Sequence, residues 1–192
     1  MAKVRDSGMP LKEQWESFFD PPGILDALNC KDLAGDIIEL GCGYGTFTEA
    51  AAARTSASVY ALDIDPTMVS ATAVRVSRAG YRNVVTERRD FVGDGFGRPD
   101  ASVSFVLMFN ILHTEDPIGL LREARRVLVP GGLVGVIHWN VDASTPRGPP
   151  LDIRPRPEQC QQWAEHANLG WVHTPSLPRS PWHWGLVLGR YR

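Results

Sequence analysis

Three glycines at alternate positions, Gly41, Gly43 and Gly45, follow the apolar run Asp36-Ile37-Ile38-Glu39-Leu40 and lead into Thr46 and an alanine-rich stretch. Glycine permits positive φ there and lets a ligand approach bare backbone, while a helix starting at Thr46 offers unpaired N–H groups in its first turn. The run has the form of a ligand loop, although a tight strand-to-helix turn would read the same in isolation. A second apolar run, Ser58-Val59-Tyr60-Ala61-Leu62, then ends on Asp63, eighteen residues past Gly45. A carboxylate at that position can accept both hydroxyls of a ribose.

Spacing narrows the ligand. A dinucleotide loop calls for Gly-x-Gly-x-x-Gly, and here the third glycine is Gly45 and position 46 is Thr. All three lysines, Lys3, Lys12 and Lys31, precede every tyrosine, so a Tyr-x-x-x-Lys reductase pair is impossible, and Gly-Lys-Ser/Thr does not occur. A nicotinamide oxidoreductase and a phosphate-gripping NTPase loop are both disfavoured. His113 follows Asn110-Ile111-Leu112, and His138 precedes Trp139-Asn140. Either histidine can remove a proton from an acceptor, or can serve as a structural hydrogen-bonder.

These residues need a scaffold, and the pattern between 36 and 139 supplies one. Short runs rich in Val, Ile, Leu and Phe at Asp36 to Leu40, Ser58 to Leu62, Asn83 to Glu87, Ala101 to Phe109 and Leu133 to Trp139 alternate with helical segments at Thr46 to Arg54, Pro66 to Arg78 and Pro117 to Leu128. That is an α/β pattern of five parallel strands covered on both faces. Both histidines then lie at the carboxyl edge, where open parallel sheets bind ligands. Upstream, Leu11 to Phe19 and Ile24 to Leu28 read as short helices. Downstream, five prolines between Pro146 and Pro157 predict a stiff loop, followed by a helix over Glu158 to Asn168 and strands at Gly170 to Thr174 and Trp184 to Arg190.

The chain has 192 residues, 43% of them apolar, which suits one domain. Lys and Arg number 20 against 22 Asp and Glu, a formal charge of -2, so no global field draws it to nucleic acid or anionic lipid. Cys30, Cys42 and Cys160 are odd in number with no Cys-x-x-Cys pair, which predicts reduced thiols. The absence of an apolar run behind the start or of a span-length segment predicts a cytoplasmic protein without a membrane partner.

The run Glu39 to Gly45 resembles the first motif, Glu-x-Gly-x-Gly-x-Gly, of the class I S-adenosylmethionine-dependent methyltransferases. The resemblance continues in order over residues 36 to 139. Ala61 to Pro66 is similar to the second motif, Arg89-Asp90-Phe91 to the third, Phe105 to His113 to the fourth-strand motif, and Arg126 to Gly132 to the turn before the fifth strand. It implies a doubly wound, mainly parallel seven-stranded sheet with an antiparallel C-terminal strand. It also implies S-adenosyl-L-methionine as cofactor, held by Glu39, Gly41, Cys42, Gly43, Tyr44, Gly45, Asp63, Ile64, Asp90, Phe91 and Asn110. In this reading Asp63 takes the ribose, Ile64 and Phe91 flank the adenine, Asp90 accepts from its amino group and Asn110 lies near the methionine part. Asp90 also fits an exposed turn, and Cys42 needs only to be small.

The resemblance further implies one methyltransferase domain over 1–192: a helical lid at 1–32, a cofactor core at 33–139 and a closing segment at 140–192. An acceptor pocket roofed by the N-terminal helix and the Pro146 to Pro157 loop is expected, lined by Trp15, Phe19, His113, His138, Trp139 and Arg147, with His113 and His138 as candidate catalytic groups and no metal. The aromatic stripe of Trp15, Phe18 and Phe19 also fits plain core packing, and Arg147, Arg154 and Arg156 fit either solvated charges or an anion clamp. Asn110 is followed by Ile-Leu-His and not by Pro-Pro-aromatic, which disfavours DNA amino-methylation. The expected activity is methyl transfer to a small-molecule O, N or S nucleophile by a monomer or homodimer. The alternative is a non-catalytic module that binds S-adenosylmethionine or S-adenosylhomocysteine.

Overall fold

The structure, a computed structural model, describes residues 9–142 and 144–191; the start of the expected lid, residues 1–8, lies outside them, as does Arg192. The elements in chain order are α1 (Lys12–Glu16), α2 (Pro21–Ala27), β1 (Asp36–Leu40), α3 (Thr46–Ala52), β2 (Val59–Asp63), α4 (Pro66–Arg78), β3 (Val84–Arg88), β4 (Val103–Phe109), α5 (Pro117–Val127), β5 (Leu128–Trp139), α6 (Pro157–His166), β6 (Gly170–His173) and β7 (His183–Gly189). They form one seven-stranded sheet in the order β3-β2-β1-β4-β5-β7-β6. The first five strands of that order run parallel, and β7 is antiparallel to both β5 and β6.

Asp-Pro pairs start several of the helices. Asp20, Asp65 and Asp116 each cap a helix whose first turn holds a proline, accepting from the amides of Gly23 (3.4 Å), Thr67 (2.7 Å) and Gly119 (2.8 Å). The carboxylate satisfies an orphan donor, and the proline has no N–H to orphan. Side chains in the central strands alternate between two cores. Ile37, Phe105, Leu107 and Ile137 pack with α2 and α3 on one face, and Ile38, Val106, Met108 and Val136 pack with α5 and α6 on the other. This two-residue period, apolar on both sides, follows from a parallel sheet buried on both faces.

The structure departs from the sequence reading in three places. Helix α1 ends at Glu16, so Phe18 and Phe19 lie beyond it, and α2 opens at Pro21 and ends at Ala27, not over the expected Ile24 to Leu28. The Pro130-Gly131-Gly132 turn sits within β5: pairing with β4 jumps from Val103–Leu128 to Phe105–Leu133, so residues 129–132 bulge out of an otherwise continuous strand. The proline-rich loop carries one turn of 3-10 helix, Leu151–Ile153, before Pro157 opens α6.

Candidate functional site

Strand order reverses at β1, whose neighbours β2 and β4 send their connections to opposite sides and leave a crevice at the carboxyl edge. The loop after β1 is built against the end of β2. The amides of Gly41 and Cys42 donate to the Leu62 carbonyl at 2.8 and 3.0 Å. Gly43 N–H donates to Asp63 Oδ2 at 2.9 Å, Asp65 N–H donates to Asp63 Oδ1 at 3.0 Å, and Thr72 Oγ1 donates to the Gly43 carbonyl at 2.9 Å. Gly45, at φ +74°, caps α3 in the left-handed region, where a Cβ would come 3.1 Å from the Thr72 side chain and 3.2 Å from its Cα. Glycine is therefore required at 45 by conformation and by packing alike.

Burial raises Asp63 above the ordinary carboxylate range, opposed by the amides of Asp65 and Gly43. Each oxygen has accepted one backbone donor and retains capacity for a second. Behind the loop, Glu39 is buried and accepts from the Thr48 hydroxyl. Burial pushes its pKa up to about 8, so the group holds its proton at neutral pH.

From the other side β4 delivers Asn110, left-handed at φ 58°, whose N–H donates to the Ile137 carbonyl at 2.8 Å. Its side-chain Oδ1 and Nδ2 are both buried without a hydrogen-bond partner, as is Thr46 Oγ1. Leaving such a group unmatched costs about 1–3 kcal/mol. Several unmatched groups facing one cleft are the mark of a polar ligand that completes them. That cleft has a volume of about 410 Å³ and is lined by Glu39, Gly41, Cys42, Gly43, Asp63, Ile64 and Phe91 on the side of β1, β2 and β3, with Asn110 facing them from the end of β4. Toward β4 and β5 it is lined by Trp15, Phe109, His113, Trp139, Arg147, Pro149, Pro150 and Ile153. A carboxylate for a diol, apolar flanks and amide partners without a lysine fit an adenosyl group bearing an amino-acid tail.

Five residues expected at the site lie outside the cleft lining. Tyr44 uses its hydroxyl to donate to the Pro10 carbonyl at 2.9 Å, tying the N-terminal segment to the loop. Gly45 serves α3 and its packing on Thr72. Asp90 Oδ1 accepts from the amides of Val92 (3.2 Å) and Gly93 (3.1 Å), closing its own turn while Phe91 faces the cleft. Phe19 is buried edge-on among Trp15, Phe18 and Phe47. His138 is fully buried behind His113, its Nε2 3.1 Å from His113 Nδ1.

Met9, Pro10, Thr46, Phe47, Asp65, Phe109, Ile111, Gly148, Pro149, Pro150 and Ile153 line the cleft and were not singled out from the sequence. Of these, Thr46 carried a positional signal as first in the helix after the glycines, and Gly148, Pro149, Pro150 and Ile153 belong to the proline-rich loop expected over the pocket. The roof is fastened by two arginines. Arg154 donates to the carbonyls of Pro149 (2.7 Å), Asn140 (2.8 Å) and Arg147 (3.2 Å) and to Thr145 Oγ1 (2.6 Å), so it staples the proline-rich loop. Arg75 on α4 joins Glu16 of α1 to Glu49 of α3, the latter at 2.5 Å. Among the described residues no three His, Cys, Asp or Glu side chains gather to hold a metal ion, and no helix is long and apolar enough to cross a membrane.

Comparison with known proteins agrees with this architecture. The family described as "Methyltransferase domain" matches residues 37–132. N-demethylindolmycin N-methyltransferase of Streptomyces griseus is 26% identical over 135 residues, 68% of this chain and 56% of that protein. Ribosomal protein L11 methyltransferase of Methylococcus capsulatus is 35% identical over 124 residues, 62% of this chain and 40% of that protein. The chain thus spans about half the length of these relatives. Among solved structures, a SAM-dependent methyltransferase from Aquifex aeolicus superposes with a TM-score of 0.79 at 20% identity, covering 97% of this chain and 95% of that one. The [4+2]-cyclase SpnF shares the fold at a TM-score of 0.74 and 15% identity, over 98% of this chain and 85% of its own.

Proposed function

The chain belongs to the S-adenosylmethionine-dependent methyltransferase family, and from that premise we propose that it transfers a methyl group to a small-molecule nucleophile seated over the carboxyl ends of β4 and β5. The carrying observation is the corner in which the glycine loop and the Asp63 carboxylate meet at 2.9 Å beside the unmatched Asn110 amide. Asp63 would hold the ribose hydroxyls, Ile64 and Phe91 the adenine, and Asn110 and Thr46 the amino-acid end. Asp90 would have to accept from the adenine amino group in addition to the two amides that its Oδ1 takes in its own turn.

When bound, the cofactor supplies a methyl carbon already activated by the positive charge on sulfur. The chain's own work is then to hold a nucleophile in line with that carbon and to keep water out. Trp15, Phe109, Trp139, Pro149, Pro150 and Ile153 make the acceptor side apolar, and α1 with the stapled loop covers it. A cleft of about 410 Å³, shared by cofactor and acceptor, supports a small acceptor. The buried free thiols of Cys30, Cys42 and Cys160 support a reducing, intracellular setting.

Calorimetry with S-adenosylhomocysteine and with NAD, followed by turnover of S-adenosylmethionine in the presence of metabolite pools, tests the reading. Binding of the adenosyl compound with its conversion is expected. Binding without turnover across broad pools would identify a non-catalytic module, and preference for NAD would overturn the cofactor itself.

A further inference from the structure

The histidine pair at the acceptor edge has one nitrogen too many to be neutral about protons. The rings of His113 and His138 meet nearly edge-on, centroids 5.3 Å apart at 82°, with His113 Nδ1 3.1 Å from His138 Nε2. A hydrogen bond across that distance takes one proton, supplied by one ring or the other, so the tautomers of the rings are coupled. His138 stands on β5 directly opposite Trp184 of β7, on which it stacks at 23°. Its remaining nitrogen, Nδ1, is buried without a hydrogen-bond partner.

Two neutral arrangements exist. If His138 carries its proton on Nδ1, a buried N–H is orphaned. If it carries the proton on Nε2, that N–H donates to His113 and only an unfilled lone pair is buried. Orphaned buried N–H groups are the rarer and costlier case. The Trp139 backbone makes a weak hydrogen-bonding contact with the ring that favours protonation, but it falls outside hydrogen-bond geometry at Nδ1, which stays without a partner. With Nδ1 of His113 accepting from His138, its proton sits on Nε2, the ring nitrogen left for the cleft that His113 lines.

We infer that His113 offers the acceptor a neutral Nε2–H hydrogen-bond donor and that buried His138 is the positioning residue that holds it in this tautomer. The inference rests on the proposed methyl-transfer reading of the cleft. It names the acceptor by chemistry: a molecule with a hydrogen-bond-accepting oxygen or nitrogen at or beside its nucleophile. It also removes His113 as the proton acceptor. Burial lowers the pKa of His113 to about 4 and holds His138 well below its ordinary value, with His113, His183 and Arg154 adding repulsion at His138, so both rings stay neutral at working pH.

The test uses the full chain labelled with 15N-histidine and loaded with S-adenosylhomocysteine, read by two-bond 1H–15N spectra with assignments from His113→Gln and His138→Phe. Between about pH 5.5 and 8 His113 should show a bare Nδ1 and a protonated Nε2. A protonated Nδ1 would overturn the inference. In His138→Phe the donor that stabilises neutral His113 is gone, so the His113 midpoint should rise by about half a pH unit or more. A fall or no change would overturn the positioning role, and if that variant does not fold, the wild-type tautomer decides alone. Failure of S-adenosylhomocysteine to bind the same sample in calorimetry would sink the methyl-transfer reading while leaving the histidine pattern legible.

Discussion

The Gly43 amide donates to Asp63 Oδ2 across 2.9 Å, which makes the loop after β1 and the last residue of β2 a single corner. Two different carriers of binding chemistry, bare backbone and a carboxylate, are thereby held at fixed separation before any ligand arrives. Preorganisation of this kind reduces what ligand binding must spend on ordering.

Removal of the carboxylate should be felt in affinity. Asp63→Ala is expected to weaken S-adenosylhomocysteine binding by roughly 1–3 kcal/mol, the cost of leaving hydrogen-bonding groups without their partner. Calorimetry on the folded variant checks this, and unchanged affinity would exclude Asp63 as the ribose acceptor.

Alanine at two of the loop glycines should separate strain from crowding. Gly41 and Gly45 share nearly the same φ, +73° and +74°, but a Cβ at 41 meets only Ile111 at 3.6 Å, whereas at 45 it presses on Thr72 at 3.1 Å. Each substitution should lose about 1 kcal/mol of stability from the left-handed backbone, and Gly45→Ala distinctly more. Urea unfolding of the two variants gives the comparison; equal losses would rule out packing against Thr72 as a reason for Gly45.

Stability should pass through a maximum near about pH 6. Glu39 is raised from 4.5 to about 8, so its contribution is full below 4.5 and is lost as pH climbs toward 8, because ionising it in place is unfavourable. His113 and His183 are lowered from 6.5 to about 4 and about 3 by burial, so theirs is full above 6.5 and is lost as pH falls toward those values. Glu39→Gln should flatten the alkaline limb by on the order of 3–5 kcal/mol while leaving the acid limb in place. An unchanged alkaline limb in urea titrations would show that Glu39 is ionised in the fold without penalty.

Cutting the loop staple should act locally. Arg154→Ala removes four hydrogen bonds that converge on one guanidinium. Amide exchange over residues 145–154 is expected to accelerate at least about tenfold, with β1, β4 and β5 unchanged. Equal protection in wild type and variant would mean that the prolines alone hold the loop.

Much of this protein was readable along the chain, since the features concerned are local. Alternating apolar runs and amphipathic stretches specified five parallel strands and their crossover helices, and the spacing of Gly41, Gly43, Gly45 and Asp63 located the corner. Each depends on neighbours within a turn or a strand, where steric and hydrogen-bonding preferences act directly.

What required the folded molecule depends on residues far apart in sequence. Asp90 could close its own turn or face a ligand, and only its geometry shows the carboxylate accepting from Val92 and Gly93. Arg154 could be a solvated charge or a clamp, until the loop is seen folded around it. His113 and His138 occupy equivalent strand ends in a linear reading. Pairing of β5 with β7 sets Trp184 against His138 and buries it, while His113 stays at the cleft. Periodicity tells which face a side chain takes, but a contact between two side chains 25 residues apart is fixed by strand register and packing, which no local preference encodes.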